Sequence, residues 1–227
     1  MRRVILFDID GTLVWGGPAK EAFCDAMLET FGTMGAVEDV SFAGKTDPQI
    51  ARELLAGVGI GDSAIEDGFP ALFDRYTEKL AERLVDDPVS VLPGVAELLD
   101  ALSEIDDVGL ALLTGNIVRG AELKLTSAGL WGHFALGSYG SDHEERDALA
   151  GIALERAREA WGSTIEAGDT VVVGDTPRDV SCGINGGTRT LAVATGHFSI
   201  QQLRDAGPDH AIEDLSNTEG VLALLTG

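Results

Sequence analysis

Positive charge is scarce in this chain of 227 residues. Lysine and arginine together number 16, against 38 aspartates and glutamates, so the formal net charge is −22 at pH 7. The acidic residues are spread along the chain and do not form a tail. A field of this sign repels nucleic acid and anionic membranes, so neither is expected as a partner. Two explanations of the excess stay open: an ordinary solvated acidic surface and adaptation to a high-salt habitat.

Cysteines and long apolar runs are also rare. Cys24 and Cys182 lie far apart without a CxxC spacing, which is typical of buried thiols in a reducing compartment. No apolar run approaches the length of a membrane span, and residues 4–7 are too few for the apolar region of a signal peptide before Asp8 interrupts them. These absences predict a cytoplasmic protein.

The order of apolar segments predicts the fold class. The length suffices for one α/β domain with an insertion. Short apolar runs alternate with stretches of helical period, which is typical of β-α-β units. The predicted strands cover residues 4–8, 108–114, 133–137, 171–175, 189–193 and 210–212, with helices from 95, at 117–128, at 148–161 and from 177. We therefore expect an α/β protein with a Rossmann-like, doubly wound parallel sheet.

One stretch does not follow this alternation. From Pro18 to about Asp87, apolar residues recur only at helical spacing, and glycines and a proline bound the stretch. It is too long to be a simple crossover between two strands. We predict an all-helical cap at 17–87, inserted after the first strand, and a catalytic core formed by 1–16 and 88–227.

Three of the predicted strands end in clusters of small polar residues. The clusters are Asp8-Ile9-Asp10-Gly11-Thr12, Thr114-Gly115-Asn116 and Gly174-Asp175-Thr176-Pro177-Arg178-Asp179. Ligands of open parallel sheets bind beyond the carboxyl ends of the strands, so these side chains are expected to converge there. Neighbouring buried carboxylates need a compensating cation. Oxygen ligands favour Mg²⁺ over zinc or copper, and the sequence therefore predicts a magnesium site.

These motifs carry a resemblance to a known family. DIDGT at 8–12, TGN at 114–116 and GDTPRD at 174–179 resemble the first, second and fourth motifs of the haloacid dehalogenase (HAD) superfamily, in its phosphoglycolate-phosphatase-like branch with a helical cap. The likeness spans nearly the whole chain, including the position of the cap. It implies a Mg²⁺-dependent phosphatase that acts on a small phosphorylated metabolite, either phosphoglycolate-like or a sugar phosphate. The oligomeric state stays open.

The resemblance also implies a role for each matching residue. Asp8 would attack phosphorus and form an aspartyl phosphate, while Asp10 would protonate the leaving oxygen and then deprotonate the attacking water. The carboxylates of Asp8 and Asp175 and the backbone carbonyl of Asp10 would hold Mg²⁺, and Asp179 would order the water around it. The residues expected to bind the phosphoryl group or the rest of the substrate in the core are Gly11, Thr12, Thr114, Gly115 and Asn116.

The third family motif departs from its usual form. Relatives place a lysine followed by prolines shortly after the strand near 137, whereas this chain reads DHEERDAL at 142–149. Arg146 is expected to supply the cation that neutralises Asp8 and the phosphoryl group, with Lys124 as the alternative. In the cap, residues 42–47 resemble a substrate-specificity loop. Lys45 of that loop would either bind the remote end of the substrate or face solvent.

Other functions on the same fold stay open. Asp10 argues against a dehalogenase, which lacks the second aspartate, but a sugar phosphomutase keeps both aspartates. A phosphonate-cleaving hydrolase would use a cap lysine such as Lys45 as its Schiff base, although such enzymes usually carry alanine in place of Asp10. The non-enzymatic alternative is a module that binds phosphate without turnover. Receiver domains of that kind lack an insertion after the first strand.

Overall fold

The computed structural model describes residues 3–162 and 164–227 and confirms the predicted α/β class. The strands are β1 (Arg3–Phe7), β2 (Val14–Trp15), β3 (Ser90–Val91), β4 (Val108–Thr114), β5 (Leu136–Tyr139), β6 (Thr170–Gly174), β7 (Arg189–Val193) and β8 (His210–Ile212). Six of them form a sheet in the order β5-β4-β1-β6-β7-β8, and every neighbouring pair is parallel. The strand order reverses direction at β1, which is the property of a doubly wound sheet.

Helices cover both faces of this sheet. The α-helices in the described part of the chain are α1 (Ala19–Phe31), α2 (Asp47–Ala56), α3 (Asp62–Arg83), α4 (Val95–Ser103), α5 (Val118–Ser127), α6 (Leu149–Trp161), α7 (Pro177–Asn185), α8 (Ile200–Asp205) and α9 (Thr218–Thr226). Pro177 opens α7 at a position where its missing N–H costs nothing, and Thr176 caps that helix by accepting a hydrogen bond from the amide of Asp179. No helix in the described part of the chain is both long and apolar enough to span a membrane.

The central strand is buried on both faces. Val4 and Leu6 pack into one apolar cluster with α6, and Ile5 and Phe7 pack into the other. Alternate residues of a strand point to opposite faces, so a continuous apolar run is what a strand covered on both sides requires. Burying each of these side chains stabilises the fold by roughly 1.5–3 kcal/mol. The result is a rigid support whose carboxyl end holds Asp8.

Three helices, α1 to α3, lie between β2 and β3, in the segment predicted to be the cap. Phe23 of α1 and Tyr76 of α3 meet edge to face, with ring centroids 5.2 Å apart. β2 pairs antiparallel with β3, so the chain enters and leaves the helical segment at two hydrogen-bonded strands. Residues 17 and 87 stay predicted limits of the cap, and the first two residues of the predicted core segment 1–16 lie outside the described residues.

One predicted strand was misplaced. The expected strand at 133–137 lies at Leu136–Tyr139, and His133 belongs to a short 3-10 turn, Trp131–His133. Pairing with β4, where Leu136 lies opposite Ala111 and Tyr139 opposite Thr114, decides which residues are extended. The local sequence favoured the earlier residues because Phe134 is apolar, but Phe134 packs against the ring of Phe7 before the strand begins.

Candidate active site

The polar clusters that follow β1, β4 and β6 meet at one edge of the sheet, as predicted from their positions. Asp8, Thr114 and Asp175 each come directly after or at the end of one of these neighbouring strands, and all three are buried. They line a cavity of about 550 Å³ that also receives residues from the cap. The cavity therefore lies where ligands of doubly wound sheets bind.

Three carboxylates form a compact cluster, and two of them, Asp8 and Asp175, line this cavity. One oxygen each from Asp8, Asp175 and Asp179 lies within 4.8 Å of the other two, and the three residues are between 1% and 5% exposed. Thr176 donates to Asp179 from its amide at 2.9 Å and from its hydroxyl at 2.8 Å, which fixes that carboxylate. Thr12 donates to Asp175 at 3.5 Å.

A buried arginine joins two members of this cluster. The Nη2 atom of Arg146 donates to Asp8 at 2.8 Å and also to Asp179. The backbone carbonyl of Arg146 accepts a hydrogen bond from the thiol of Cys182 at 3.1 Å, which helps to place the side chain. Nε of Arg146 is buried and has no partner among the described residues, so it remains available for a further acceptor. The structure thus places the predicted third-motif cation against the predicted nucleophile.

The cluster has more negative charge than Arg146 alone offsets. Burial raises the pKa of Asp8 to about 7 against the opposing charge of Arg146. Burial and the charges of Asp179 and Asp8 raise the pKa of Asp175 to about 9. A divalent cation would favour the ionised forms of both. An all-oxygen donor set in which three carboxylates share one arginine fits a hard divalent metal ion.

Asp10 lies apart from the three clustered carboxylates. Its carboxylate accepts hydrogen bonds from Lys124 Nζ, at 2.8 Å to each oxygen, and from Asn116 Nδ2 at 2.7 Å. Partial removal from water acts to raise the pKa of Asp10, but the charge of Lys124 and the hydrogen bond from Asn116 outweigh it and lower the pKa. Lys124, the alternative third-motif cation, therefore contacts the predicted acid/base and not Asp8. Asn116 also donates to Thr114 Oγ1 at 2.9 Å, so both residues of this loop are held in place.

Two glycines leave room for the side chain of Asp175. Gly11 has a φ of +87°, which side chains rarely adopt, and a Cβ there would overlap the Asp175 carboxylate. Gly196, in the loop after β7, has no such φ restriction, yet a Cβ there would overlap the same carboxylate. Gly11 was predicted as a site residue from its motif. Gly196 was missed because no motif covers it.

We expect Gly196→Ala to displace the Asp175 carboxylate while leaving the fold intact. The Mg²⁺ concentration for half-maximal activity should rise by about tenfold, the scale of losing a supporting contact at a metal site. Metal titration of the hydrolysis rate measures this. Gly151→Ala is the matched control, because a Cβ at that exposed position of α6 meets nothing within 4 Å. Unchanged metal dependence in Gly196→Ala would argue against Asp175 as a ligand.

Comparison with known proteins identifies the family of this chain. Residues 2–187 match the haloacid dehalogenase-like hydrolases. The chain belongs to this family. An N-acetylmuramic acid 6-phosphate phosphatase of Pseudomonas putida is 32% identical over 200 residues, which cover 86% of this chain and 84% of that protein. Phosphoglycolate phosphatase 1 of Pseudomonas aeruginosa is 28% identical, with coverage of 94% and 77%. The fold matches a hydrolase from Pseudomonas syringae with a TM-score of 0.69 over the full length of both chains, at 19% identity.

In this haloacid dehalogenase-like hydrolase the cap lies directly on the core. The hydroxyl of Thr46 donates to the carbonyl of Glu144 at 2.6 Å, and Nε of Arg52 donates to the carboxylate of Glu144 at 2.7 and 2.9 Å. The amide of Asp47 donates to the carbonyl of Gly115 at 2.8 Å. These contacts place the predicted specificity loop over the predicted phosphate-binding loop of the core.

Lys45, the predicted substrate ligand of the cap, lines the cavity and forms an ion pair with Glu53 of α2. Several further cavity residues of the hydrolase were not predicted: Trp15, Lys20, Asp47, Tyr76 and His197. Trp15 and His197 meet edge to face, with ring centroids 4.8 Å apart. Their positions depend on how the cap packs on the core, which periodicity does not report. Asp47 could have been predicted as a cavity residue, because it lies within the predicted specificity loop at 42–47.

Proposed function

We propose that the protein is a Mg²⁺-dependent phosphatase that hydrolyses a small phosphorylated metabolite through an aspartyl phosphate on Asp8. The observation that supports this most directly is the pairing of Asp8 with Arg146 beside two further carboxylates, in the lining of a cavity. An isolated arginine would neutralise a carboxylate nucleophile, but here Arg146 is shared with Asp179. Phosphoryl transfer depends mainly on positioning and charge neutralisation, and this arrangement offers both.

Asp8 and Asp10 divide the chemistry between two half-reactions. In the first, an oxygen of Asp8 bonds to phosphorus as the bond between phosphorus and the ester oxygen breaks. Asp10, in its acid form, gives its proton to the departing ester oxygen. In the second, Asp10 in its carboxylate form takes a proton from water as the water oxygen bonds to phosphorus and releases Asp8. The contacts with Lys124 and Asn116 stabilise the carboxylate form that the second half-reaction needs.

Asp8 and Asp175 would hold Mg²⁺, with Asp179 close enough to position its water. When bound, the ion would neutralise the phosphoryl oxygens. Arg146 holds Asp8 from the other side. Thr114 lies at the end of β4, close to the start of α5, where its hydroxyl and the amides of Gly115 and Asn116 would bind the phosphoryl oxygens.

The two cysteines bear on the location of the protein. Cys24 and Cys182 are both free and buried, which supports our proposal of a cytoplasmic location.

The test of this function is release of inorganic phosphate from p-nitrophenyl phosphate. We expect turnover with Mg²⁺, loss of at least about 10²-fold on addition of EDTA, and recovery on adding excess Mg²⁺, because the metal would neutralise the phosphoryl oxygens. Asp74→Asn, on the exposed face of α3, serves as a control variant that keeps full activity. Full activity in EDTA would contradict the metal requirement, and phosphate bound without release would indicate a binding module.

A panel of phosphorylated metabolites then defines the substrate. The relatives named above act, by their names, on phosphoglycolate and on a sugar phosphate, so both classes belong in the panel. Glucose 1-phosphate separates a phosphatase from a phosphomutase, because a phosphatase yields free phosphate and a mutase yields glucose 6-phosphate.

A further inference from the structure

The cap contributes a carboxylate to the cavity that the proposed chemistry does not use. Asp47, the first residue of α2, lines the cavity near Lys124. Its Oδ2 accepts a hydrogen bond from the amide of Ile117 at 2.8 Å, which fixes the side chain at the loop preceding α5. Oδ1 makes no hydrogen bond within the described part of the chain. An oriented acceptor is therefore free for a substrate.

A second polar group lies unused in the same wall. Tyr76 is 2% exposed and lines the cavity, and its hydroxyl makes no hydrogen bond with any residue that the structure describes. Burial raises the pKa of Tyr76 well above its usual value, and the negative charges of Asp47 and Asp10 act in the same direction. The hydroxyl thus stays protonated and can both donate and accept. The hydroxyl is open to the cavity, where a ligand can reach it.

Most cations of the cavity are already paired. Lys45, Lys124 and Arg146 each form an ion pair with a carboxylate. Lys20 lies in an exposed position of α1, with Nζ 5.3 Å from the centre of the Phe42 ring. A substrate carboxylate close to the phosphate would therefore meet the charge of Asp47, and the described residues there offer it no unpaired cation except Lys20.

We propose, building on the phosphatase function above, that Asp47 selects phosphate esters whose leaving group carries a neutral hydroxyl beside the ester, such as short polyol or sugar phosphates. An ionised carboxylate accepts a hydrogen bond from such a hydroxyl, and Tyr76 supplies a second partner. The same carboxylate repels a negatively charged leaving group, and inside a protein this repulsion is strong. Exclusion of the wrong ligand contributes to specificity alongside attraction of the right one.

The test compares two esters of equal carbon number, 2-hydroxyethyl phosphate and 2-phosphoglycolate. With Mg²⁺, the wild-type kcat/KM should be higher for 2-hydroxyethyl phosphate by about tenfold or more. Asp47→Asn keeps the size and the acceptor for Ile117 but removes the charge. It should raise kcat/KM for 2-phosphoglycolate about tenfold and lower the value for 2-hydroxyethyl phosphate by about tenfold, because an NH₂ donor then replaces the carboxylate oxygen that accepts from the substrate hydroxyl. Where turnover of either ester is slow, inhibition of p-nitrophenyl phosphate hydrolysis compares the binding of the two esters, and Asp47→Asn should then strengthen inhibition by 2-phosphoglycolate.

Arg52→Gln controls for loosening of the cap, because Arg52 binds Glu144 of the core from outside the cavity lining. It should change kcat/KM for both esters by the same factor. Equal losses on both esters in Asp47→Asn would make Asp47 a cap-docking residue and overturn the proposal. A wild-type preference for 2-phosphoglycolate that Lys20→Ala abolishes would also overturn the proposal, because Lys20 would then bind the substrate carboxylate. No phosphate from either ester or from p-nitrophenyl phosphate would instead overturn the phosphatase function itself.

Discussion

Asp8→Asn should remove essentially all turnover, by roughly 10⁴-fold or more, the scale expected when a covalent nucleophile is lost. The amide is nearly the same size and shape as the carboxylate, but it does not form the acyl phosphate. Single-turnover phosphate release, measured with p-nitrophenyl phosphate and Mg²⁺, checks this. Turnover within tenfold of the wild type would contradict a covalent mechanism.

The same variant should fold at least as well as the wild type when no metal is present. Burial raises the pKa of Asp8 to about 7, so ionised Asp8 opposes folding at neutral pH, and this cost disappears as the pH falls below the ordinary carboxyl range. Asparagine carries no such charge. Thermal unfolding in EDTA at pH 7 and at pH 5 measures the difference, which should be larger at pH 7. A lower melting temperature than wild type at pH 7 would show that the pair with Arg146 dominates instead.

Arg146→Ala should reduce both activity and stability. It leaves Asp8 and Asp179 buried without the cation that they share. Removing one partner of a buried ion pair lowers the free energy of unfolding by about 3–5 kcal/mol. Because Arg146 contacts the nucleophile, kcat should fall by roughly 10²–10³-fold, as for the loss of a group that stabilises transition-state charge.

Two further variants separate these effects. Arg146→Lys keeps the charge, so it should recover most of the stability but less of kcat, since one ammonium does not reproduce the planar geometry of the guanidinium. Lys124→Ala should lower kcat less than Arg146→Ala, because Lys124 contacts Asp10 and not Asp8. Urea denaturation and steady-state kinetics on the same preparations supply the comparison. The reverse ranking in kcat would move the third-motif role to Lys124.

The core could be predicted from the sequence because its signals are local. Residues 108–114 and 189–193 form uninterrupted strand-like runs, and the observed strands have these same bounds. The residues that follow the strands converge because the carboxyl ends of parallel strands all lie at the same edge of the sheet. The contact of Arg146 with Asp8 could be predicted from its place after the strand near 137. Its contact with Asp179 could not, since nothing local relates residue 146 to residue 179.

The cap side of the site was harder to predict. Helical period indicated α1 to α3, but not which face of each helix meets the core. The ion pair between Lys45 and Glu53 and the bond from Ile117 to Asp47 depend on that packing. Two-residue strands such as β2 and β3 are also too short to leave a periodic signal, and they form only because the ends of the cap segment meet.

The position of β1 has a consequence for biosynthesis. Its partners are β4, which begins at Val108, and β6, which begins at Thr170, so β1 has no strand on one of its edges until β6 has been made. At ribosomal rates, roughly 10–30 s separate the synthesis of β1 from that of β6. During that time at least one edge of a fully apolar segment, Val4 to Phe7, is unpaired. We expect nascent chains truncated before residue 170 to bind chaperones or aggregate, and the helical cap to be the first part that acquires native contacts.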